Sequence, residues 1–505
     1  MTMTTQTEIE RKYDVDEKAA LPNLTDIATA KPAGEAHLEA EYFDTERGDL
    51  AAHRIVLRRR RGGADEGWHI KLPAAAGRTE LHWPLTDDGT PPSEVVDQVR
   101  SRVRGRELGV IARLRTHRTL THLFTDQGEP LLEVADDQVS ATDVATGTLR
   151  LWREWEVELL DGAPESDRER GTLLDSVEER LVAAGAAPSA SRSKLATALG
   201  RTDLDGDSKA SDAAAPDLDR SSPAAAVLLV AVGALVDDLA RIDPLVRADE
   251  HDAVHQLRTR IRRLRSLFAS YRSVFDREVT DPLRDRLREV GTALGEARDA
   301  EVMRDRAHSL LEDHESRSGD VNRLPGGLDD DYIAAHARAV AELNGERWLS
   351  LLDDLDAFVA RPALAAEAME SVADTVPPAL QADLRRVLKR AKAARRVDSE
   401  EERVLLLHDV RKAAKRLRYA AEAVSQGDAS VFGKKTRKFA SAAEAVHDLL
   451  GEHRDSMLMQ QHLRETAGSE PSAFDYGVLH EVERHGAALC LADYPAALAE
   501  LRSFR

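Results

Sequence analysis

The chain has 505 residues, of which 42% are hydrophobic and 32% charged, and its formal net charge is −20 at pH 7. This length exceeds one ordinary hydrophobic core, so we expect at least two domains. The negative charge argues against a general nucleic-acid or membrane binder but leaves room for local basic sites. The single cysteine, Cys490, excludes an intramolecular disulfide framework. The sequence shows no signal peptide and no apolar run long enough to span a bilayer, so we expect a cytoplasmic protein.

Residues 1–200 are predicted to form a domain made mainly of β-strands. Alternating or β-rich runs are separated by Gly, Asp and Pro turns, with helical intervals near 94–106 and 171–185. These runs cover residues 8–15, 38–43, 54–60, 67–72, 79–85, 111–124, 130–139 and 149–160. About eight strands with hairpin-like spacing favour an eight-stranded antiparallel tunnel or barrel with flanking helices.

The rest of the chain is predicted to be helical. Residues 201–222 are polar and without periodicity, which is typical of a flexible linker. Residues 223–505 have helical spacing, with a second polar break near 315–331. The whole chain is therefore predicted to be an α+β multidomain protein with an all-α C-terminal domain.

The helical half repeats itself. HQLRTRIRRLR at 255–265 matches HDVRKAAKRLR at 408–418, and ALGEARDAEVM at 293–303 matches LLGEHRDSMLM at 449–459. The offsets are 153 and 156 residues, so the two motifs keep their order and spacing in both copies. This indicates an internal duplication that forms two related helical bundles.

Charged residues alternate along the predicted strands. In TEIERKYDV the side chains of Glu8, Glu10 and Lys12 share one strand face. One such strand is more often a solvated outer face, but the same alternation recurs in LRRRRG, LLEVADDQV and WREWEVELL. A barrel with an apolar outside and a charged inside explains the recurrence. Carboxylates bind hard divalent cations, and Arg and Lys bind phosphate oxygens, so a metal-bound chain of phosphates is the ligand class that fits.

These motifs, together with YFDT at 42–45 and WHIKLP at 68–73, closely resemble the CYTH family of triphosphate tunnel metalloenzymes over about residues 5–200. The resemblance implies an eight-stranded antiparallel tunnel that hydrolyses or rearranges triphosphates with Mg²⁺ or Mn²⁺. It implies catalytic roles for Glu8, Glu10, Lys12 and Lys194, with substrate bound by Lys12, Arg58, Arg60, Lys71 and Arg118. The implied metal-side carboxylates are Glu8, Glu10, Glu133, Asp137, Glu156 and Glu158. Arg113 and Arg115 match the family pattern less well.

Basic residues form a stripe on each copy of the first helical motif. On a helix, His255, Arg258, Arg262 and Arg265 fall within an arc of about 80°, while Leu257, Ile261, Leu264 and Phe268 form an apolar side. A charged stripe is usually a solvated face, but its presence in both copies favours an anion-binding surface. Aromatic residues are only 4% of the chain, so a polyanion without bases fits better than nucleic acid.

The helical half, over about residues 223–505, resembles the CHAD domain. That resemblance implies binding of inorganic polyphosphate by His255, Arg258, Arg262, Arg265, His408, Arg411, Lys415, Arg416 and Arg418. In the second motif, the Arg298–Asp299 and Arg454–Asp455 pairs either join this site or form structural salt bridges.

The sequence therefore predicts a metal-dependent enzyme that hydrolyses inorganic triphosphate and is joined to a polyphosphate-binding domain. The same tunnel charges would also suit hydrolysis of a nucleoside or thiamine triphosphate, or adenylate cyclisation. A polyphosphate-binding adaptor with an inactive tunnel is a third reading, disfavoured by the intact Glu8, Glu10, Lys12, Glu156 and Glu158.

Overall fold

The structure, a computed structural model, describes residues 3–73, 78–189, 191, 193–201, 217–312, 324–467 and 473–505. The chain divides into two compact units, residues 1–214 and 215–505. Most of the predicted linker, residues 202–216, lies outside the described residues.

The first unit contains one antiparallel sheet. Its described strands are β1 Thr4–Glu8, β2 Glu10–Val15, β3 Thr29–Asp44, β4 Val56–Arg61, β5 Gly67–Pro73, β6 Arg78–Trp83, β7 Gly109–Phe124, β8 Pro130–Asp143, β9 Leu149–Leu159 and β10 Ala187–Pro188. The spatial order is β1-β6-β5-β4-β3-β7-β8-β9-β2-β10.

The sheet closes on itself through its first strand. β1 pairs with β6, while β2 pairs with β9 near the other end of the order. Only Ile9 separates β1 from β2, and its carbonyl accepts a hydrogen bond from the Leu159 amide at 3.0 Å. β1 and β2 therefore act as one strand that joins both sides. With the two-residue β10 set aside, this is the predicted eight-stranded antiparallel tunnel.

The apolar faces of the strands point outward onto helices. The helices of this unit are α1 Asp49–Ala52, α2 Ser93–Val103, α3 Asp167–Ala183 and α4 Lys194–Leu199. Trp155 and Val157 of β9 are buried in a cluster with Val177 and Leu181 of α3. A second cluster joins the sheet to α1 and α2. Because side chains alternate along a strand, this outward burial directs Glu154, Glu156 and Glu158 into the barrel.

The second unit is helical. Its α-helices are α5 Ala224–Arg247, α6 Ala253–Ser270, α7 Arg277–Glu312, α8 Leu324–Asn344, α9 Glu346–Ala360, α10 Val372–Ala394, α11 Glu400–Glu422, α12 Lys434–Ala467 and α13 Ala473–Arg502. The first repeat motif lies on α6 and α11, and the second on α7 and α12. α6 and α11 contact each other, and one apolar cluster runs through both repeats.

The predicted apolar stripe of α6 is confirmed, since Leu257, Ile261, Leu264 and Phe268 are fully buried. The predicted polar break at 315–331 is wrong in its second part, because α8 already begins at Leu324, where Leu324 and Leu328 are buried one turn apart. Residues 313–323 of that break lie outside the described residues. Among the described helices, none combines the length and apolar character needed to cross a membrane.

Candidate functional site

The inside of the barrel is a cavity of about 320 Å³ with a highly charged lining. Every strand from β1 to β9 except β3, which contributes Tyr42, adds at least one acidic or basic side chain to its wall. They are Glu8, Glu10, Lys12, Arg58, Arg60, Lys71, Arg78, Glu80, Arg118, Glu133, Glu156 and Glu158. Lys194 joins them from the first turn of α4, where the Ser193 hydroxyl caps the helix by accepting from the Ala196 amide at 3.1 Å.

One part of the wall is a network of matched charges. Lys12 Nζ lies 2.6 Å from a Glu156 carboxylate oxygen, and Lys194 Nζ lies 2.6 Å from Glu156 and 2.9 Å from Asp137. Arg118 donates two hydrogen bonds to Asp137, at 2.8 and 2.7 Å, and one to Glu156 at 2.6 Å. Although burial opposes ionisation, these cations hold the pKa values of Glu156 and Asp137 below their usual range. Both carboxylates are therefore kept charged by the protein itself.

Asp137, Glu154 and Glu156 place carboxylate oxygens within 4.8 Å of one another, a spacing that could hold a metal ion. However, Lys194 Nζ already lies within 2.9 Å of all three. Asp137 is also fully buried behind the cations rather than on the cavity wall. The Lys194 ammonium group therefore occupies the position that a metal ion would need. The three carboxylates hold Lys194 in place rather than binding a metal.

A second group of carboxylates has more negative charge than nearby cations balance. Glu8 pairs with Lys71, and Glu10 lies 3.2 Å from Lys12, but Glu158 forms no ion pair in the described part of the chain. Glu158 of β9 stands directly opposite Glu10 of β2 on one side and Glu133 of β8 on the other. Like charges opposite each other across strands are destabilising. Burial, followed by the charges of Glu8 and Glu10, raises the pKa of Glu158 to about 8. This cluster of oxygen donors with excess negative charge fits a hard divalent cation.

A third part of the wall carries buried guanidinium groups. Arg58 lies 3.3 Å from Glu80, and Arg60 is paired with Asp65, a half-exposed residue. The Nε atoms of both arginines are buried and have no hydrogen-bond partner among the described residues. Burial and the neighbouring Arg58 lower the pKa of Arg60 to about 9. Arg60 is thus short of negative charge, as expected of a group that binds an anion.

The helical unit contains a second charged cavity, which we call the basic pocket, of about 350 Å³. Facing helices α6, α7, α11 and α12 supply its wall. The ionisable residues that line it are His255, Arg258, Arg262, Arg298, Asp299, Arg411, Lys415, His447, Arg454, Asp455, His462 and Glu465. Both repeats therefore contribute to one cavity.

In each repeat, the first and second motifs contact each other in this pocket. The contact is made by an arginine of the first motif that lies across a glycine of the second motif. A Cβ added to Gly295 would lie 3.2 Å from the Arg258 guanidinium, and one added to Gly451 would lie 3.1 Å from that of Arg411. Arg258 also donates to the Gly295 carbonyl at 3.3 Å and pairs with Asp299 at 3.5 Å. The glycine leaves room for the arginine to lie flat across the neighbouring helix. This contact explains why the two motifs keep their spacing in both copies.

Positive charge exceeds negative charge in the basic pocket. Burial and the nearby Arg262, Arg411 and Arg258 lower the pKa of Lys415 to about 6. Burial and Arg298 lower that of His255 to about 4. The Nε atoms of Arg258 and Arg411 are buried and lack hydrogen-bond partners among the described residues. Such unpaired donors are costly unless a ligand supplies acceptors.

Comparison with known proteins assigns the two units that contain these cavities to known domain families. The CYTH domain model matches residues 6–181, and the CHAD domain model matches residues 230–464. The chain is a CYTH–CHAD protein. CYTH tunnel proteins bind triphosphates and are metal-dependent, and CHAD domains are associated with polyphosphate.

Two relatives match nearly the whole chain in sequence. Proteins of two Mycobacterium tuberculosis strains, CDC 1551 and H37Rv, both named as uncharacterized, are 37% identical over 519 residues, which covers 98% of this chain and 96% of each relative. PptA from Streptomyces chartreusis is similar in structure with a TM-score of 0.46 and 20% identity, covering 55% of this chain and 99% of that one. The CHAD domain from the plant Ricinus communis gives a TM-score of 0.41 and 26% identity, covering 58% and 94%. The family assignment rests on the sequence matches.

In the CYTH tunnel, the structure separates the residues that the sequence grouped as metal-side carboxylates. Glu8, Glu10 and Glu133 lie around Glu158, and this part carries excess negative charge although Lys71 pairs with Glu8 and Lys12 with Glu10. Glu156 and Asp137 are paired with several cations, namely Lys12, Lys194 and Arg118. Arg113 and Arg115 do not line the tunnel. They lie on its outside, where they pair with Glu41 and Glu39 at 3.1 Å.

The sequence reasoning missed several charged tunnel residues, among them Arg78, Glu80 and Glu154. Glu80 binds Arg58 and accepts a hydrogen bond from His69 Nδ1 at 2.7 Å, and Glu154 lies 2.6 Å from Lys194 Nζ. Both could have been found by continuing the alternation, since Glu154 precedes Glu156 by two residues. Glu80 occupies the same kind of position in RTELHW.

In the CHAD domain, four of the predicted phosphate-binding residues lie outside the basic pocket. They are Arg265, His408, Arg416 and Arg418. Arg416 binds Asp383 at 3.1 Å and the Ser270 hydroxyl at 3.1 Å, and Arg418 binds Glu422 at 2.7 Å and Glu444 at 2.6 Å. These two arginines therefore tie helices together. His447, which the sequence reasoning missed, lines the pocket one turn before Gly451.

Proposed function

We propose that the CYTH tunnel hydrolyses inorganic triphosphate to diphosphate and phosphate with Mg²⁺ or Mn²⁺, and that the CHAD domain binds inorganic polyphosphate. The observation that carries the first part is the division of the tunnel wall. Buried arginine Nε donors without partners lie in the same 320 Å³ cavity as a carboxylate cluster centred on Glu158, which has no ion pair in the described part of the chain. A triphosphate with a divalent cation satisfies both sets at once.

The carboxylates fit the metal that the family requires. Glu10, Glu133 and Glu158, with Glu8 beside them, would hold it, since all four are oxygen donors and burial and their mutual repulsion raise the pKa of Glu158. When bound, the ion neutralises charge on phosphate oxygens and lowers the pKa of a bound water. We assign this role to that cluster rather than to Asp137, Glu154 and Glu156, where Lys194 supplies the positive charge.

The cations of the tunnel would bind and orient the phosphates. Arg58, Arg60 and Lys71 would contact the phosphate oxygens, and guanidinium forks suit that geometry. Lys12 and Lys194 are held by Glu156, at 2.6 Å each, so they are fixed in place before substrate arrives. Hydrolysis then adds water to the terminal phosphorus, breaks its bond to the bridging oxygen and leaves the electron pair on diphosphate.

The lining supports inorganic triphosphate over a nucleotide. Tyr42 is the one aromatic residue among the described residues that line the cavity. A nucleobase gains most of its affinity from stacking and apolar contact, which this charged wall provides poorly. The charged wall suits a substrate made of phosphates alone.

The test compares two arginines on opposite faces of the same barrel. Arg60→Ala removes an inward guanidinium, and we expect kcat/KM for inorganic triphosphate to fall by about 10²-fold. Arg113→Ala removes an outward, half-exposed guanidinium and should leave kcat/KM unchanged. Phosphate release is measured with Mg²⁺ and with Mn²⁺, and with ATP beside inorganic triphosphate. Equal or faster turnover of ATP would contradict the substrate assignment, and no release from either substrate would contradict the enzyme assignment.

For the CHAD domain, the proposal is supported by the surplus of buried cations in the basic pocket. Arg258, Arg262, Arg411 and Lys415 face one cavity from both repeats, and two of the guanidinium groups have unpaired donors. A linear polyanion supplies several acceptors at once, so it satisfies these donors better than a single small anion. Loss of counterions on binding makes the affinity fall with added salt, which is the measurable sign of such a contact.

A further inference from the structure

A third cavity lies in the helical unit, and neither triphosphate hydrolysis nor polyphosphate binding uses it. It is a groove of about 940 Å³ between the C-terminal part of α10, the N-terminal part of α11 and the C-terminal part of α13. We call it the α10–α13 groove. It shares no lining residue with the basic pocket. Its volume lies at the upper end of the range of about 300–1,000 Å³ that is common for small-molecule sites.

The α10–α13 groove has an apolar floor and a basic rim. The floor is formed by Leu388, Ala391, Leu407, Leu491 and Leu498, all in or against the apolar core. The rim carries Lys392, Arg395, Arg396, Arg403 and Arg502, all exposed. No acidic residue lines the groove, and none of the five cations forms an ion pair in the described part of the chain. In a protein with a net charge of −20, five unpaired cations around an apolar floor require a reason.

A buried hydroxyl marks where the apolar and basic surfaces meet. Tyr494 is 8% exposed and lines the groove, and its hydroxyl oxygen is buried without a hydrogen-bond partner among the described residues. Burial raises the pKa of the Tyr494 hydroxyl, and the positive charge of Arg395 opposes that shift. A buried hydroxyl without a partner destabilises the protein relative to one that is hydrogen-bonded. A ligand that brings an acceptor to this point would remove that destabilisation.

We propose that the α10–α13 groove binds an amphiphile in which an apolar chain ends in a phosphate group. The chain lies on the leucine floor, and the headgroup accepts hydrogen bonds from the Tyr494 hydroxyl and the Arg395 guanidinium. A phosphate fits better than a carboxylate because its two negative charges and three terminal oxygens match several cations at once. Inorganic polyphosphate does not fit, since it has no apolar part to cover the leucines. The site is therefore separate in chemistry from the basic pocket.

The test uses the full-length protein and dodecyl phosphate below its micelle-forming concentration, with binding measured by calorimetry. Arg395→Glu should weaken binding by about tenfold or more, and Tyr494→Phe by about three- to tenfold, because each removes a headgroup contact. Lys389→Glu is the matched control. It makes the same kind of charge reversal on α10 at an exposed lysine that does not line the groove, and binding should stay unchanged.

Three further ligands separate the contributions of chain and headgroup. Dodecanol and inorganic phosphate should each bind at least about tenfold more weakly than dodecyl phosphate, and dodecanoate should lie between. Retention of binding in Arg395→Glu, or displacement of dodecyl phosphate by polyphosphate, would overturn the proposal. Equal binding of dodecanol would show a purely apolar groove, and equal binding of inorganic phosphate a simple anion site. Either result also contradicts the proposal.

Discussion

The tunnel and the basic pocket are both lined by buried cations, but their charges are arranged in different ways. In the tunnel, cations and carboxylates alternate, and Glu156 is held ionised by Lys12 and Lys194. In the basic pocket the cations crowd one another, and burial together with three arginines lowers the pKa of Lys415 to about 6. We propose that the first arrangement positions a triphosphate and a metal, whereas the second binds a polyanion without a metal. This division of roles is the central claim.

The largest effect is expected when one carboxylate is removed from the tunnel cluster around Glu158. Glu10→Gln keeps the size of the side chain but removes a proposed metal ligand, so we expect kcat for inorganic triphosphate to fall by about 10²-fold or more. Polyphosphate binding should be unchanged. The measurement is phosphate release across a Mg²⁺ titration. Full activity in this variant at ordinary Mg²⁺ concentrations would show that the metal binds elsewhere.

The second prediction concerns the basic pocket. Arg411→Ala removes a buried guanidinium with an unpaired Nε, and we expect the affinity for polyphosphate to fall by about tenfold. The matched control is Lys412→Ala, which removes an exposed cation from the next position of α11 and should change affinity little. Fluorescence anisotropy with labelled polyphosphate measures both. Equal losses in the two variants would indicate a diffuse surface charge effect rather than a pocket.

The third prediction uses the crowding around Lys415. Lys415→Met removes a buried amine that three arginines repel, so the free energy of unfolding at pH 7 should rise by about 1 kcal/mol and the melting temperature by roughly 2–4 °C. Polyphosphate affinity should fall in the same variant. A gain in stability with a loss of binding marks a residue kept for function. A lower melting temperature would contradict the crowded-charge description.

The same residue predicts a pH effect. The folded pKa of Lys415 is about 6, below the ordinary lysine value, so the unfolded chain binds an extra proton between about pH 6 and pH 10. The stability of the wild type should therefore rise with pH through that window, and the slope should be smaller in Lys415→Met. Polyphosphate binding at pH 7–8 should take up protons, which calorimetry in buffers of different ionisation enthalpy detects.

The smallest expected effect tests the contact between the two repeat motifs. Gly451→Ala places a methyl group 3.1 Å from the Arg411 guanidinium, so the arginine must shift, and polyphosphate affinity should fall by about two- to fivefold. Gly477→Ala is the control, because a Cβ there meets nothing within 4 Å. It should leave binding unchanged and stabilise α13 slightly. Unchanged affinity in Gly451→Ala would show that Arg411 does not need this close approach.

Period-2 alternation predicted most of the tunnel wall because an apolar outer face leaves only one inward direction for charge. The same rule separates Arg118 from Arg113 and Arg115, which have the opposite parity on β7 and lie outside. The sequence could not divide the carboxylates into the set around Lys194 and the set around Glu158. That division depends on Lys194, which reaches Glu156 from α4 after about forty residues of intervening chain.

The helical stripe was less informative, because helical periodicity gives the direction of a side chain but not the neighbour it meets. Arg418 lies on the predicted stripe yet binds Glu444, which comes from α12. Arg416 meets Asp383 of α10 in the same way. The repeat itself carried more information than the stripe, since the arginines that cross Gly295 and Gly451 both line the pocket.

The most direct test of the division of roles is polyphosphate binding in the presence of a metal chelator. Labelled polyphosphate is titrated into the wild type, Glu10→Gln and Arg411→Ala, all full length. The wild type and Glu10→Gln should bind equally well without metal, and Arg411→Ala about tenfold more weakly. Binding that requires Mg²⁺, or that is lost in Glu10→Gln but kept in Arg411→Ala, would place polyphosphate in the tunnel and contradict the account.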